Sequence, residues 1–293
     1  MELFFYALIS GILYGIFFAL VGIGLNLIFG VMRMVNLAHG DFIMLGAFGA
    51  WLAFSKLNMN PLLAIPIEIV IFMIIGFGVY YAFVPRLSKS RDPEMLSFIL
   101  FFGIAQIIEA LAIFAFGNNQ KSIPFSTLGK GSISILSQSI PFSWIVSAAI
   151  SLFTIGFVYY YLYFTRTGYA TRAIMSSPEE ASSVGIDVSK ISAFAMGIGL
   201  SLAAIAGVLA PFMIGSIDPS IGASLTTTSF AIVVIGSLGN PIGTILGGII
   251  YGLAMMFMQT YLASWTNLVP YVILILILLV KPSGLLGKKV RNA

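Results

Sequence analysis

One histidine serves the whole 293-residue chain, and it lies in the stretch VNLAHGDFIMLG (Val35–Gly46), between Asn36 and Asp41. Imidazole, carboxamide and carboxylate this close together could ligate a metal, activate a nucleophile or line a polar path. A zinc-type site needs three or four ligands, and His39 and Asp41 have no second cluster to complete one. A hydrolase of the strand–helix elbow type needs a serine with matched flanks, which Gly199-Leu200-Ser201 lacks. Cysteine is absent, which removes thiolate, iron–sulfur and disulfide chemistry. The chain therefore reads as a non-enzyme, with no catalytic set, no metal and no cofactor of its own. Two roles remain for Asn36, His39 and Asp41. They line or gate a pathway, or they satisfy a break between two helices, with Gly40 allowing a sharp turn and Asp41 capping a helix that starts at Phe42. Both can hold together.

The other candidates are sparse. A phosphate-binding loop requires a glycine, four residues and then Gly-Lys-Ser/Thr. Gly129-Lys130 is followed by Gly131 and has Pro124 where the first glycine belongs, and Gly287-Lys288 lies in the tail, so the chain itself is not expected to hydrolyse ATP. Glu68 and Glu109 fall inside apolar runs without a basic partner in the same runs. They read as helix–helix or interface contacts, with ion coupling as the alternative use of an intramembrane acid. Asn240-Pro241 echoes a water-channel box, but it is single and lacks the alanine.

The elements that must position these residues follow from composition. Hydrophobic residues make up 59% of the chain and charged residues 8%, against about 25% charged in soluble domains. Most of the surface cannot face water, so the expected fold is all-α, a polytopic transmembrane helical bundle forming a single domain over 1–293. Apolar runs of spanning length are Leu3–Phe29, Pro61–Val84, Met95–Phe116, Phe142–Phe164, Ile191–Ile214, Pro241–Ala263 and Leu268–Val280. Phe42–Phe54 and Ala223–Leu238 are shorter and read as short spans or as broken, partly re-entrant helices. Eight or nine membrane segments result. Lysine and arginine collect on the cytoplasmic side of membranes. Placing Arg33, the loop Pro85–Glu94, the loop Thr165–Lys190 and the tail with Lys281, Lys288, Lys289 and Arg291 inside puts eleven of the fourteen basic residues there. The N-terminus is then outside and the C-terminus cytoplasmic in a multi-pass protein of the cell membrane.

One internal echo is present: Gly22-Ile23-Gly24-Leu25-Asn26-Leu27 returns as Gly197-Ile198-Gly199-Leu200-Ser201-Leu202. The two copies run in opposite directions through the membrane in this topology, as in the inverted repeats of transporters; chance in a Gly/Leu/Ile-rich chain is the alternative. Gly239, Gly243 and Gly247 fall four apart, as do Gly248/Gly252 and Gly11/Gly15. Small residues on one helix face let backbones approach in lipid, and packing inside one bundle explains them better than a dedicated partner surface.

The loop 165–191, TRTGYATRAIMSSPEEASSVGIDVSKI, is the most polar part of the chain. Ser177, Pro178 and Glu180 form a capping box with proline at the first helical position, and Gly185 can close the other end in a left-handed conformation. This predicts a short helix, Pro178–Val184, on the inner surface. A mere connector needs no capped helix, so a docking helix is the better reading.

NLAHGDFIMLGAF (Asn36–Phe48), IGSLGNPIGTILGG (Ile235–Gly248), VKPSGLLGKK (Val280–Lys289) and TRTGYATRA followed by GIDVSKI together resemble branched-chain amino-acid ABC transporter permeases of the LivH type over nearly the whole chain. A sister permease of that family typically carries Ser-Leu-Gly where this chain has Asn36-Leu37-Ala38. The resemblance implies a permease subunit of an ATP-driven importer for leucine, isoleucine and valine. It implies a second permease in a hetero-dimer, two cytoplasmic ATPase subunits that use the ATP, an external solute-binding protein and no nucleic acid. The helix of Pro178, Glu179, Glu180 and Ala181 would then dock on an ATPase, with Arg172, Gly185 and Asp187 flanking or shaping the contact. Asn36, His39, Asp41, Thr226, Thr227, Thr228 and Ser229 would line the pathway or gate. Related permeases carry urea, amides or sugars, and a lone ion-coupled carrier or channel for small polar solutes is the competing class.

Overall fold

The structure is a computed structural model and describes residues 1–135 and 138–287. Lys288, Lys289 and Arg291, and the last two residues of the VKPSGLLGKK stretch, lie outside the described residues. Eleven α-helices follow in chain order among those described: α1 (Glu2–Met32), α2 (His39–Ser55), α3 (Ala64–Leu87), α4 (Pro93–Phe116), α5 (Phe142–Phe164), α6 (Arg166–Ser176), α7 (Pro178–Ser183), α8 (Val188–Met213), α9 (Ile221–Gly236), α10 (Pro241–Tyr261) and α11 (Val269–Val280). Their starts are written locally. Asp92, Thr165, Ser177, Asp187 and Asn240 are N-caps whose side chains accept a backbone N–H two or three residues into the helix, and Pro93, Pro178 and Pro241 occupy the first turn, where a missing N–H costs nothing. Asn240-Pro241 is thus the start of α10.

Seven helical segments are long and apolar enough to cross a membrane, so this is a multi-pass membrane protein. The chain has two recognisable ends. At one, β1 (Lys121–Ser122) pairs with β4 (Ser216–Ile217), beside the β2 (Ser132–Ile135) and β3 (Gln138–Pro141) hairpin. At the other, α6 and α7 gather with the α9–α10 turn and residues 281–287, whose Leu285 and Leu286 N–H groups donate to Ile235 and Gly236. The two short helices also run between these ends. The Val35 N–H donates to Ser97 Oγ near the start of α4 (3.2 Å), whereas Trp51 at the far end of α2 meets Phe116 and Lys121. α9 leaves the β4 end and finishes at the α7 end. Each is about 25 Å long at 1.5 Å per residue, short of a ~30 Å hydrocarbon layer. The non-helical leads 33–38 and 214–220 make up the difference. Among the described residues the chain thus passes between the ends nine times, and Phe42–Phe54 and Ala223–Leu238 are broken crossings. Of the described basic residues, Arg33, Arg86, Lys89, Arg91, Arg166, Arg172, Lys190 and Lys281 lie toward the α7 end, and Lys56, Lys121 and Lys130 toward the β end.

The repeated hexapeptide marks a structural exchange. α1 and α8 are buried along most of their lengths and cross where Gly24 faces Gly199; a Cβ on Gly24 would stand 2.7 Å from the Gly199 carbonyl oxygen. α1 packs most extensively on α10 and α8 on α3, and α2 and α9 lie between them. The polar fifth position does equivalent work in each copy. Asn26 Nδ2 donates to the Ser237 and Asn240 carbonyls (3.1 Å each) and to Thr244 Oγ1 at α10, and Ser201 Oγ donates to the Ile69 carbonyl of α3 (3.0 Å). The first helix of each half is therefore bonded to the third helix of the other. The glycine repeats pack internally. Gly248 and Gly252 meet Ala19 and Gly15 of α1, and Gly243 and Gly247 meet Gly236 and Ile232 of α9. Gly239 departs from the expected single stripe. It precedes α10, with φ 75°, because Asn240 caps the helix after it.

α3, α4 and α11 turn mostly apolar side chains outward, among them Ile74, Phe98, Phe114 and Leu279, as a bilayer-facing layer requires. In lipid the hydrophobic effect does not hold helices together; close packing and buried hydrogen bonds do. Gly248→Leu is accordingly expected to lower the thermal midpoint in detergent sharply, since its Cβ would collide with the Ala19 backbone N and stand 2.5 Å from Ala19 Cα. Gly78→Ala, with nothing within 4 Å, shifts it by no more than about 2 °C; equal losses would refute the packing described. Asn26→Ala should cost roughly 1 kcal/mol by the same measurement.

Candidate functional site

α1 ends where Arg33 adopts a left-handed conformation (φ 52°) with its N–H on the Phe29 carbonyl. The chain then turns back into the bundle. Asn36 Oδ1 accepts the Ala38 N–H (3.1 Å), and α2 starts at His39, three residues before the expected Phe42. Asp41 is consequently not the cap. Ala38 holds that position, without a side-chain bond, and Asp41 lies inside the first turn. The reason is local: Asn36 satisfies the turn from outside the helix, so the helix can begin earlier. His39 is fully buried, and its Nε2 donates to the Val21 carbonyl of α1 (3.1 Å), with Nδ1 lacking a partner. A carbonyl only accepts, so Nε2 carries the proton. His39 thus ties the start of α2 to the middle of α1.

The first turns of α2 and α9 meet face to face. Gly40 N–H donates to Thr226 Oγ1 (2.9 Å), and the same hydroxyl donates to the Leu37 carbonyl (3.0 Å). A Cβ at Gly40 would collide with the Gly222 carbonyl oxygen, and one at Gly222 with Asp41 Oδ1. Asp41 is 3% exposed, and what is exposed borders a cavity of about 130 Å³ shared with Gln106 and Glu109 of α4 and with Thr226.

The hydroxyl run separates in space. Thr226 belongs to that crossing. Thr227 and Thr228 border a larger cavity, about 300 Å³, with Phe18, Ser224, Tyr251 and Asn267; Thr228 Oγ1 is 3.3 Å from Tyr251 OH. Ser229 points inward, fully buried, and donates to Leu225 O one turn back (2.7 Å). Asn36 and His39 border neither cavity. Sequence reading missed Gln106, Tyr251 and Asn267. Each is a polar group within or beside an apolar run, but only folding shows which of them face Asp41 and which the threonines.

The loop 165–191 forms a second polar site. α7 spans Pro178–Ser183, one residue shorter than expected, with Ser177 Oγ accepting the Glu180 N–H (3.3 Å). Its end is a Schellman turn: Gly185 N–H donates to Ser182 O and Ile186 N–H to Ala181 O, with Gly185 at φ 86°. Ala181 is buried while Glu179, Glu180 and Val184 are exposed, Val184 at 77%. Asp187 accepts the Lys190 N–H and pairs with its ammonium at 3.1 Å, which holds the carboxyl below its ordinary range, the backbone bond first. Arg172 is committed inward. Its Nε donates to Leu162 O (2.9 Å) and its guanidinium stacks on Tyr163 and Tyr169. It braces α6 on α5, and the outward surface is left to α7. Among the described residues no group of three or more His, Cys, Asp or Glu could hold a metal ion.

Comparison with known proteins finds sequence relatives along nearly the whole chain. The permease LivH of Escherichia coli K12, named as a high-affinity branched-chain amino acid transport system protein, is 28% identical over 299 residues, covering 97% of this chain and 96% of that one. The BraD permease of Pseudomonas aeruginosa, of the same description, is 27% identical over 294 residues (96% and 95%). A ribose import permease, RbsC of Haemophilus influenzae, is 23% identical over 242 residues (80% and 71%). No solved structure shows significant similarity. Residues 7–278 match the family described as the branched-chain amino acid transport system permease component, and the chain belongs to that family of transport permeases.

Proposed function

We propose that this chain is the membrane-spanning permease subunit of an ATP-driven importer for leucine, isoleucine and valine, with its N-terminus outside and its C-terminus in the cytoplasm. Its partners are a second permease subunit, two cytoplasmic ATPase subunits that bind and hydrolyse the ATP, and an external binding protein that delivers the solute. The substrate class rests on the relatives' names and their near-complete coverage of the chain. Coupling rests on one observation: α7 is a short helix capped at both ends, with Glu179, Glu180 and the Val184 that follows it exposed while Ala181 is buried beneath.

The geometry supports a mechanism for this reading. Ala181 and the Arg172 brace seat α6 and α7 on α5 and α8, so a force on α7 moves those helices rather than a loose loop. Val184 offers an apolar anchor and Glu179 and Glu180 a negative rim, a combination suited to a groove with basic edges. Motion passed to α8 reaches the α2–α9 crossing directly, since α2 packs on both helices. Asp41, Thr226, Thr227 and Thr228 supply the polar lining past which the solute moves. Asn36 and His39 hold the turn beside it, and Ser229 keeps α9 regular behind it.

In vesicles holding the whole importer, Gly185→Pro should reduce ATP-dependent leucine uptake by at least about tenfold, because proline cannot adopt φ 86° and removes the N–H that closes α7. Glu180→Lys should do the same by reversing the rim charge. Insertion should be normal in both, and wild-type uptake in the proline variant would reduce the loop to a connector. Orientation is read in whole cells: because the chain has no cysteine, a membrane-impermeant thiol reagent should label Ser126→Cys and not Ser182→Cys. The reverse pattern would invert the topology.

A further inference from the structure

Beyond its first turn, which carries the exposed Glu94, the outward face of α4 is apolar except at one level. Gln106 and Glu109, near the middle of that helix, turn toward the cavity they share with Asp41 and Thr226. A carboxylate and a carboxamide at membrane depth are costly against lipid and mark water-filled or solute-lined space. The acids differ in their surroundings. Asp41 lies in the first turn of α2, against the first turn of α9, where both helix N-termini favour negative charge. Glu109 sits in the interior of a helix with no such support. Among the described residues no lysine, arginine or histidine borders the cavity, and neither carboxylate takes part in a salt bridge. Asp41 is almost wholly withdrawn from solvent (3% exposed), receives no hydrogen bond from another side chain among the described residues, and borders the cavity while its Oδ1 lies against the α9 backbone at Gly222.

We infer that this cavity, where α2, α4 and α9 meet, is a passage site for the amino acid itself, with Asp41 and Glu109 receiving its ammonium group. The inference rests on the amino-acid reading above and adds residues and a binding mode to it. The remaining lining suits the rest of the molecule. The Gln106 carboxamide can donate to the solute's carboxylate. Leu37, Phe102 and Ala105 give an apolar wall for a branched side chain. The cavity measures about 130 Å³. The carboxylates thereby become specificity-determining: a solute with no cationic group would leave two acids unpaired at membrane depth.

The absence of cysteine makes the site directly readable. Within the assembled importer, Gln106→Cys introduces the only thiol on this chain, and its modification is scored as a mass shift on this chain alone. Labelling by a trimethylammonium methanethiosulfonate should exceed labelling by the sulfonate reagent by about tenfold more than for a free thiol, given two nearby carboxylates. Glu109→Gln in the same background should bring the ratio close to the free-thiol value. Leucine and isopentylamine should protect the introduced thiol; 4-methylpentanoate, which lacks the amino group, should not. Phe102→Cys, one turn earlier, is the second reporter if Gln106→Cys fails to insert. A ratio equal to that of a free thiol overturns the site. Protection by sodium in place of choline, without protection by leucine, assigns the acids to a free cation and overturns the amino-group reading. Cation preference and isopentylamine protection in an importer that does not accumulate leucine would uphold the site and refute the proposed substrate class instead.

Discussion

The polar centre of this bundle depends on two helix starts being pressed together. Gly40 and Gly222 remove the side chains that would keep α2 and α9 apart. The Thr226 hydroxyl of α9 then satisfies two backbone groups at the start of α2, accepting from Gly40 and donating to Leu37. Non-helical chain at membrane depth is tolerated only where its polar groups find partners or line a cavity, and here both occur. The same contact that repairs the broken backbone places Asp41 beside open space.

The surrounding helices hold this junction in place. α1 and α8 form a crossed central pair, each bonded through a polar side chain to the third helix of the opposite half. His39 fastens α2 to α1 at Val21. The consequence is mechanical. The two halves grip each other by exchange, so neither can tilt without moving the junction between α2 and α9. A bundle of this kind suits alternating exposure of a central site to the two faces of the membrane. In the importer proposed above the drive would enter from one end, through a braced seat: a helix with a cap at each end, a buried alanine beneath it and an arginine stacked on two tyrosines.

Charge placement separates the two functional regions. In the bundle acids are few: Asp41 lies where a cavity meets two helix N-termini, and Glu109 faces the same cavity from the interior of α4. On the α7 knob Glu179 and Glu180 are exposed, the arrangement on which the proposed docking surface rests. Glu68 follows neither pattern. It is buried between α2 and α8 with both carboxylate oxygens unpartnered, beside Gly46 and Gly49. We have no physical account of why that niche holds an acid.

The helical membrane class, the spans and the capped knob were legible in the sequence, because each is set by local chemistry: apolar runs of bilayer length, and side chains that satisfy backbone groups two or three residues away. The hexapeptide echo and the glycine spacings were legible as patterns, but their meaning was not. Packing alone shows that Gly24 meets Gly199, that Gly239 stands outside its helix and that α2 begins at His39 rather than Phe42. The polar sites divided in the same way. Sequence could flag Asn36, His39, Asp41 and the threonines as polar groups in an apolar chain, yet it could not tell those facing the core, as His39 and Ser229 do, from those facing a cavity. Nor could it bring Gln106 and Glu109 to Asp41. Orientation around a helix axis and contact between distant segments depend on how whole helices cross, and that is decided by the close fit of surfaces far apart in the chain.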